Sequence, residues 1–215
     1  MFTQTQTITV EVDPQAGTLS IDDNLVWDHH INFIASKIFR GIGALYRLKK
    51  LVPISLLLPV YHALVHCHLT YGITVWGCSY KKHINKLQVL QNKAIRIISN
   101  IPARSTVNPE FRKLGILKVS DLYEFEIVKI MKQYNERTLP EYFDNFFQCP
   151  NSIHHYNTRF SQNQSLFVKL NSSRLSRNSL SYIGVKFWNN VPTLYRTLPY
   201  HTFKARYCKF ILSKY

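Results

Sequence analysis

The sequence predicts a mainly α-helical chain with a small N-terminal β-hairpin and an irregular, Ser/Asn-rich C-terminal segment. Three observations carry this. Apolar residues recur at three- and four-residue steps through the middle of the chain, the spacing of one helix face. Strict alternation is confined to ITVEVD and TLSID near the N-terminus. Residues 151–181, NSIHHYNTRFSQNQSLFVKLNSSRLSRNSLS, are rich in Ser and Asn and read as loops with short strands at best.

Each element follows from its residues. Residues 7–12 alternate, Pro14–Gly17 reads as a turn, and TLSID returns as the second strand. Asp28 stands where it can cap a first helix, whose buried stripe is Ile31, Ile34, Ile38, Ile42 and Leu45, with Lys37, Arg40 and Arg47 off it. Gly41 and Gly43 weaken that helix and allow close packing against a neighbour. Pro53 suits the start of a second helix running to about His68, which Pro59 must kink unless it marks the true first turn. Tyr71-Gly72 breaks the pattern, and ITVWG reads as an extended run. A third helix begins near Lys82, with Leu87, Leu90, Ala94, Ile97, Ile98 and Ile101 on one face, and Pro102 ends it. Ser120 is placed to cap a fourth helix, Asp121 to about Asn135, which Leu139-Pro140 closes. A last helix from about Thr202 puts Phe203, Tyr207, Phe210 and Ile211 together. The expected division is 1–27 for the hairpin, 28–148 for the helical domain and 149–215 for a basic C-terminal segment with its terminal helix.

Composition narrows the function classes. The chain has 215 residues, 46% hydrophobic, enough for a real core. Four cysteines are too few for a disulfide scaffold, so a reducing compartment is expected. The longest apolar run, Leu51 to Val65, is interrupted by Pro53, Ser55, Pro59 and His62 and is too short to span a bilayer. The N-terminus has neither a basic region with an apolar stretch nor an Arg-rich amphipathic pattern, so cytosol or nucleus is the expected location.

The charge is unevenly spread. The net charge is +15, yet residues 1–28 hold five acids and no Lys or Arg, which leaves +20 on the rest. Residues 29–109 carry eleven basic residues and no acid, and residues 145–215 carry ten and no acid. A merely solvated surface mixes signs, so two long acid-free stretches point to a polyanion, and nucleic acid fits a cysteine-poor chain better than a membrane surface does. On the third helix Lys82, Lys86, Lys93 and Arg96 share a face, the arrangement that phosphate binding requires. Lys49 and Lys50 at the end of the first helix are expected to support them.

Other chemistry has little support. Asp22-Asp23 is the only adjacent carboxylate pair and reads as turn residues before Trp27, not as metal ligands, so no catalytic residue is assigned. His62, His66, Cys67, His68 and Cys78 can be drawn as a zinc site, but without C-x-x-C spacing they read as residues packing near a helix end, and no metal or other cofactor is expected. Cys149 and Cys208 stand alone, and neither a nucleophile elbow nor a phosphate-cradling Gly loop is present.

Six segments, in order, resemble the region downstream of the catalytic palm in reverse transcriptases of non-LTR, jockey-like or LINE-type retrotransposons. They are GTLSIDDNLVWDHHI at 17–31, LLLPVYHALVHCHLTYGITVWG at 56–77, LQVLQNKAIRII at 87–98, FRKLGILKVSDL at 111–122, YNTRF at 156–160 and SLSYIGVKFWNNVP at 179–192, followed by FK at 203–204. The resemblance implies a helical thumb and post-polymerase region that grips a template–primer duplex. The family's Tyr/Phe-x-Asp-Asp lies upstream of the matching region and has no counterpart here, and Pro59 is unusual within its segment. The chain therefore reads as a truncated element remnant or a partial gene product. The expected activity is weak, sequence-nonspecific binding of RNA or an RNA–DNA hybrid, with no membrane or small-molecule partner and no catalysis of its own. The alternatives are a polymerase subunit completed by a palm in trans, and an inert remnant or protein-interaction module whose orphaned hairpin edge invites pairing.

Overall fold

A computed structural model describes residues 7–13, 17–22, 25–144, 146–147, 165–168 and 173–215. The chain is mainly α-helical, as expected. It divides into two compact units, residues 1–122 with Tyr215, and residues 123–214.

The first unit opens with β1 (Thr7–Asp13) and β2 (Gly17–Asp22), an antiparallel pair in which Val10 faces Leu19, with an irregularity between Glu11 and Asp13. Gly17 already belongs to β2; the rest of the expected Pro14–Gly17 turn, like Asp23, lies outside the described residues. Helix α1 (Asp28–Leu48) follows. Asp28 is its first residue and not its cap; Trp27 holds the cap position with a left-handed backbone, φ 65°, and no side-chain cap bond. That strained conformation places the indole in the core, edge-on to His30. Asp28 instead brings negative charge to the positive helix end. The stripe Ile31, Ile34, Ile38, Ile42 and Leu45 is buried throughout.

The second helical run is continuous from Ile54 to Thr70 but changes pitch. Helix α2 (Ile54–Tyr61) passes through Pro59, widens into a π turn at His62–His66, and closes as α3 (Cys67–Thr70). Pro59 sits in the second turn, where it removes one backbone donor without ending the helix. Leu57, Tyr61, Val65 and Leu69 are all fully buried at a strict four-residue repeat. In a regular helix each such step drifts by about 40°. The wider π turn takes that drift back and keeps all four facing inward. The Leu64 carbonyl of this turn lies where Gly41 of α1 has no Cβ; a methyl there would stand 2.6 Å from the oxygen.

ITVW is helical, not extended: α4 spans Ile73–Trp76. Gly72, at φ 61°, turns the chain, Ile73 and Trp76 are buried at helical spacing, and the indole donates to the Tyr71 carbonyl at 2.8 Å. Helix α5 (Lys81–Ser99) buries Leu87, Gln91, Ala94, Ile95 and Ile98, while Leu90, Ile97 and Ile101 are only half-buried. It is stopped by Asn100 in a left-handed cap (φ 53°), ahead of Pro102. Helix α6 (Asn108–Leu114) ends on Gly115 at φ 69°, with the Ile116 amide bonded back to the Phe111 carbonyl, so the Gly in FRKLGI is a helix stop. Helix α7 (Val119–Asn135) begins before Ser120, which is exposed in its first turn and does not cap it. One of the first-turn amides that has no intrahelical partner, that of Val119, bonds Gln88 Oε1 at 2.9 Å.

Gln91 is 0% exposed and fully bonded. Its amide donates to Tyr61 Oη at 3.1 Å and to the Leu117 carbonyl at 2.9 Å, and its oxygen accepts from Gln88 at 3.0 Å.

The second unit contains most of α7, a 3-10 turn (Glu141–Phe143), α8 (Arg174–Asn178), α9 (Leu180–Asn190), α10 (Thr193–Arg196) and α11 (Tyr200–Leu212). The expectation of loops with short strands over 151–181 is corrected at its end. Ser173 caps α8 through a bond from the Ser176 amide, and Leu180 opens α9, which buries Gly184, Val185 and Trp188. Residues 165–168 are irregular; 151–164 and 169–172 are outside the described residues. The terminal helix starts at Tyr200, behind Pro199, and buries Phe203, Tyr207, Ile211 and Leu212.

Arg196 is buried. It donates to the carbonyls of Val191 at 2.8 Å and Asn189 at 2.7 Å, and to Ser165 Oγ at 3.0 Å. It thus sits on the electronegative end of α9, and burial lowers its pKa from the usual range. Lys132, also buried, donates to the Arg196 carbonyl at 2.7 Å and pairs with Glu136 at 3.1 Å.

Gly41→Ala is expected to destabilise the protein by about 1–3 kcal/mol through overpacking against backbone, whereas Gly43→Ala, which meets nothing within 4 Å, should stabilise by about 0.4–1 kcal/mol. Urea denaturation of the two variants checks the opposite signs. Gln91→Leu should cost about 2–4 kcal/mol, because it strands the Tyr61 hydroxyl and the Leu117 carbonyl; the same denaturation series measures it.

Candidate nucleic-acid interface

Two helices frame the basic residues of the first unit. At their N-terminal ends, His83 Nε2 of α5 lies 3.4 Å from Asp28 Oδ1 of α1. One turn further along both helices, Lys86 Nζ donates to Asn32 Oδ1. The two contacts advance together, so α1 and α5 run side by side in the same direction at their N-terminal ends.

The buried side of α5 leaves Lys82, Lys86 and Lys93 exposed on its other side, and Arg96 half-exposed. The four share a face but differ in freedom. Lys82 and Lys93 project into solvent. Lys86 is bonded to Asn32. Arg96 donates to the Ser105 carbonyl at 3.3 Å, with its Nε buried. Lys50 is exposed and Lys49 half-buried beyond the C-terminal end of α1. On a different flank of α1, Lys37 lies over the Phe33 ring at 5.1 Å, and Lys37 and Arg40 face His68.

The histidine- and cysteine-bearing run does not converge. The His62 and His66 rings meet edge to face at 4.9 Å beside Tyr61, the Cys67 thiol bonds the Ala63 carbonyl, and His68 faces α1. Burial lowers the pKa of His62, and burial followed by the Lys37 and Arg40 charges lowers that of His68. Burial also raises Cys67 and pushes Tyr61 up to about 12. Among the described residues, no three His, Cys, Asp or Glu side chains are grouped so as to hold a metal ion. No helix among them is long and apolar enough to cross a membrane. Cys149 and the YNTRF segment lie outside the described residues, and Asp22 lies at the end of β2.

Comparison with known proteins finds similarity to polymerases of mobile elements. It is 25% identical over 122 residues to the RNA-directed DNA polymerase from mobile element jockey of Drosophila melanogaster, covering 55% of this chain and 13% of that protein. It is 29% identical over 122 residues to a probable RNA-directed DNA polymerase from transposon BS of the same organism, with the same coverage. Against the jockey polymerase of Drosophila funebris it is 33% identical over 78 residues, 36% of this chain and 8% of the relative. Over about half of its length the chain is similar to jockey-type RNA-directed DNA polymerases. The match spans only about an eighth of the length of the first two. No family model and no solved structure matches the chain. The resemblance to jockey-type polymerases read from six ordered segments is thus borne out.

The structure assigns local jobs to residues that carry the jockey-type resemblance. Gln88 and Gln91 build the buried amide network, Gly115 stops α6, and Trp188 and Asn189 serve the end of α9. Asn189 also brackets Leu166 with two bonds, 3.0 Å to its amide and 2.8 Å to its carbonyl. Sequence reasoning missed Gln91, Lys132 and Arg196 as core residues. The signal for Gln91 is its place between Leu87 and Ala94 on the apolar stripe.

His30 supplies a pH test of the fold under the interface. It is 1% exposed, accepts from the Ser20 amide through Nδ1 at 3.4 Å, and has its pKa pushed down to about 4, by burial and then by His29. The folded value lies below the unfolded value of about 6.5, so the neutral ring's contribution is complete above that pH and is lost as pH falls toward 4. The loss should reach up to about 3 kcal/mol. Urea midpoints measured between pH 7.5 and 4.5 should converge less steeply for His30→Gln, which keeps an acceptor but does not titrate, than for the wild type.

Proposed function

We propose that this chain binds RNA or an RNA–DNA hybrid through sugar–phosphate contacts, with little sequence preference, and performs no catalysis of its own. The observation that carries the reading is the α5 face. Lys82, Lys86 and Lys93 stand exposed on one side of a 19-residue helix, within a stretch of eleven basic residues and no acid. Repeated long cations along one face neutralise successive phosphates, and phosphate contacts position a partner without reading its bases. The similarity to RNA-directed DNA polymerases supports the same ligand class. The lack of catalysis rests on the sequence, which has no Tyr/Phe-x-Asp-Asp, and on the scattered carboxylates of the described residues. In this reading the region acts as a helical grip on a template–primer, with Lys49 and Lys50 as outlying contacts.

A second reading, pairing with another protein through the hairpin, draws on the two-stranded sheet, whose strands pair only with each other among the described residues.

If each cation on α5 neutralises one phosphate, log K falls with log salt by about 0.7–0.9 per contact. Replacing Lys82, Lys86, Lys93 and Arg96 by Gln should flatten the slope by roughly 3–4 and weaken binding equally on unrelated sequences. Salt titration on a hybrid duplex, with circular dichroism as folding control, checks this; an unchanged slope in a folded variant would mean the face is only solvated.

A further inference from the structure

The side-by-side run of α1 and α5 brings a second row of side chains near the cations. On α1, Asn32, Phe39 and Tyr46 are spaced by seven residues. A seven-residue step returns to nearly the same face, with about 20° of drift. On α5, Lys86 and Lys93 are separated by the same step. Asn32 and Lys86 touch, so the two rows start in contact. The next position of each row, Phe39 on α1 and Lys93 on α5, lies seven residues further along its own helix, and Tyr46 lies one more such step along α1.

Both aromatic rings are exposed. Phe39 is 64% and Tyr46 60% exposed, ahead of Tyr80 at 48% and Phe33 at 38%, while Trp27, Tyr61, Trp76 and Phe111 of the same unit are buried. Two exposed rings on one flank of α1 form a small apolar surface next to the cations. The neighbouring charge defines what suits it. The occupant must offer flat faces to the α1 row and negative charge to the α5 row. A single-stranded polynucleotide meets both demands, with unpaired bases over the rings and its backbone along the lysines. A duplex meets only the second, since its bases are stacked on one another.

We infer that Phe39 and Tyr46 form a stacking platform that selects single-stranded RNA or DNA along the α1–α5 groove. The inference rests on the phosphate-binding reading of α5 and adds to it which nucleic acid is held there. Neither ring is part of the buried stripe of α1, so both can be changed without opening the core.

The test uses the full chain, with fluorescence anisotropy on three probes: oligouridylate, an RNA duplex with the same number of phosphates, and polyglutamate. The wild type should bind the single strand most tightly. The double variant Phe39→Ala/Tyr46→Ala should lose roughly tenfold or more on the single strand, with little change on the duplex and the same salt slope. Phe39→Trp should retain binding, and oligouridylate but not duplex should quench the emission that the variant adds to the wild-type signal. Equal single-strand affinity in wild type and folded double-alanine variant would overturn the platform while leaving the lysine strip standing. Equal binding of polyglutamate and oligouridylate would overturn it in favour of an acidic protein partner. Absence of binding to any probe by the wild type would overturn both the platform and the strip.

Discussion

A buried amide in the middle of α5 sets the geometry of the first unit. Gln91 sits where an apolar residue is expected, so every hydrogen bond it makes must be made inside the protein, away from water. It makes three, to Gln88, to the Tyr61 hydroxyl and to the Leu117 carbonyl. Those bonds fix α2 and the irregular 116–118 segment against one side of α5. Gln88 extends the set to the first amide of α7. With that side committed, the opposite side of α5 has only solvent to face, and that is where Lys82, Lys86 and Lys93 stand. The orientation of the cationic row is therefore a consequence of how the amide is satisfied.

Charge in this chain does two different jobs. A count of basic residues treats Lys132 and Arg196 like any others, but both are enclosed. Arg196 neutralises the carbonyl end of α9, and Lys132 holds the Arg196 carbonyl and Glu136. A guanidinium surrounded by neutral acceptors is tolerable because several oriented carbonyl dipoles replace its water shell. The positive excess available to a partner is thus smaller than the net charge, and it is concentrated on helix faces that bury no apolar stripe.

Much of the first unit was legible in the residues. The Ile31–Leu45 stripe, the helical run starting after Pro53, α5 and α7 all follow from three- and four-residue periodicity, which is a direct imprint of one-sided burial. What failed was local. ITVW alternates on paper, but Gly72 reverses the chain before it and leaves Ile73 and Trp76 to be buried together. Asp28 and Ser120 have the chemistry of caps, yet α1 starts at Asp28 itself and α7 at Val119, so both side chains fall inside the first turn. Ser- and Asn-rich sequence around 173–180 hid a capped turn of helix, since serine serves both loops and helix starts. The cations of α5 were legible as a face; their unequal freedom, with Lys86 and Arg96 already engaged, depends on Asn32 and Ser105, which no periodicity points to.

The π turn at His62–His66 carries one more residue than a regular helix of the same length would need. It acts as a phase correction, absorbed in a single place between Tyr61 and Val65. Deleting one residue there would restore uniform pitch and leave the flanking turns facing as they do, because eleven regular steps of about 100° bring Leu69 back to within about 20° of the Leu57 face. The change would fall on the backbone of the turn itself, whose Leu64 carbonyl lies against Gly41. The space left by that glycine therefore serves a carbonyl of the widened turn, and the extra residue and the close helix approach are two aspects of one local feature.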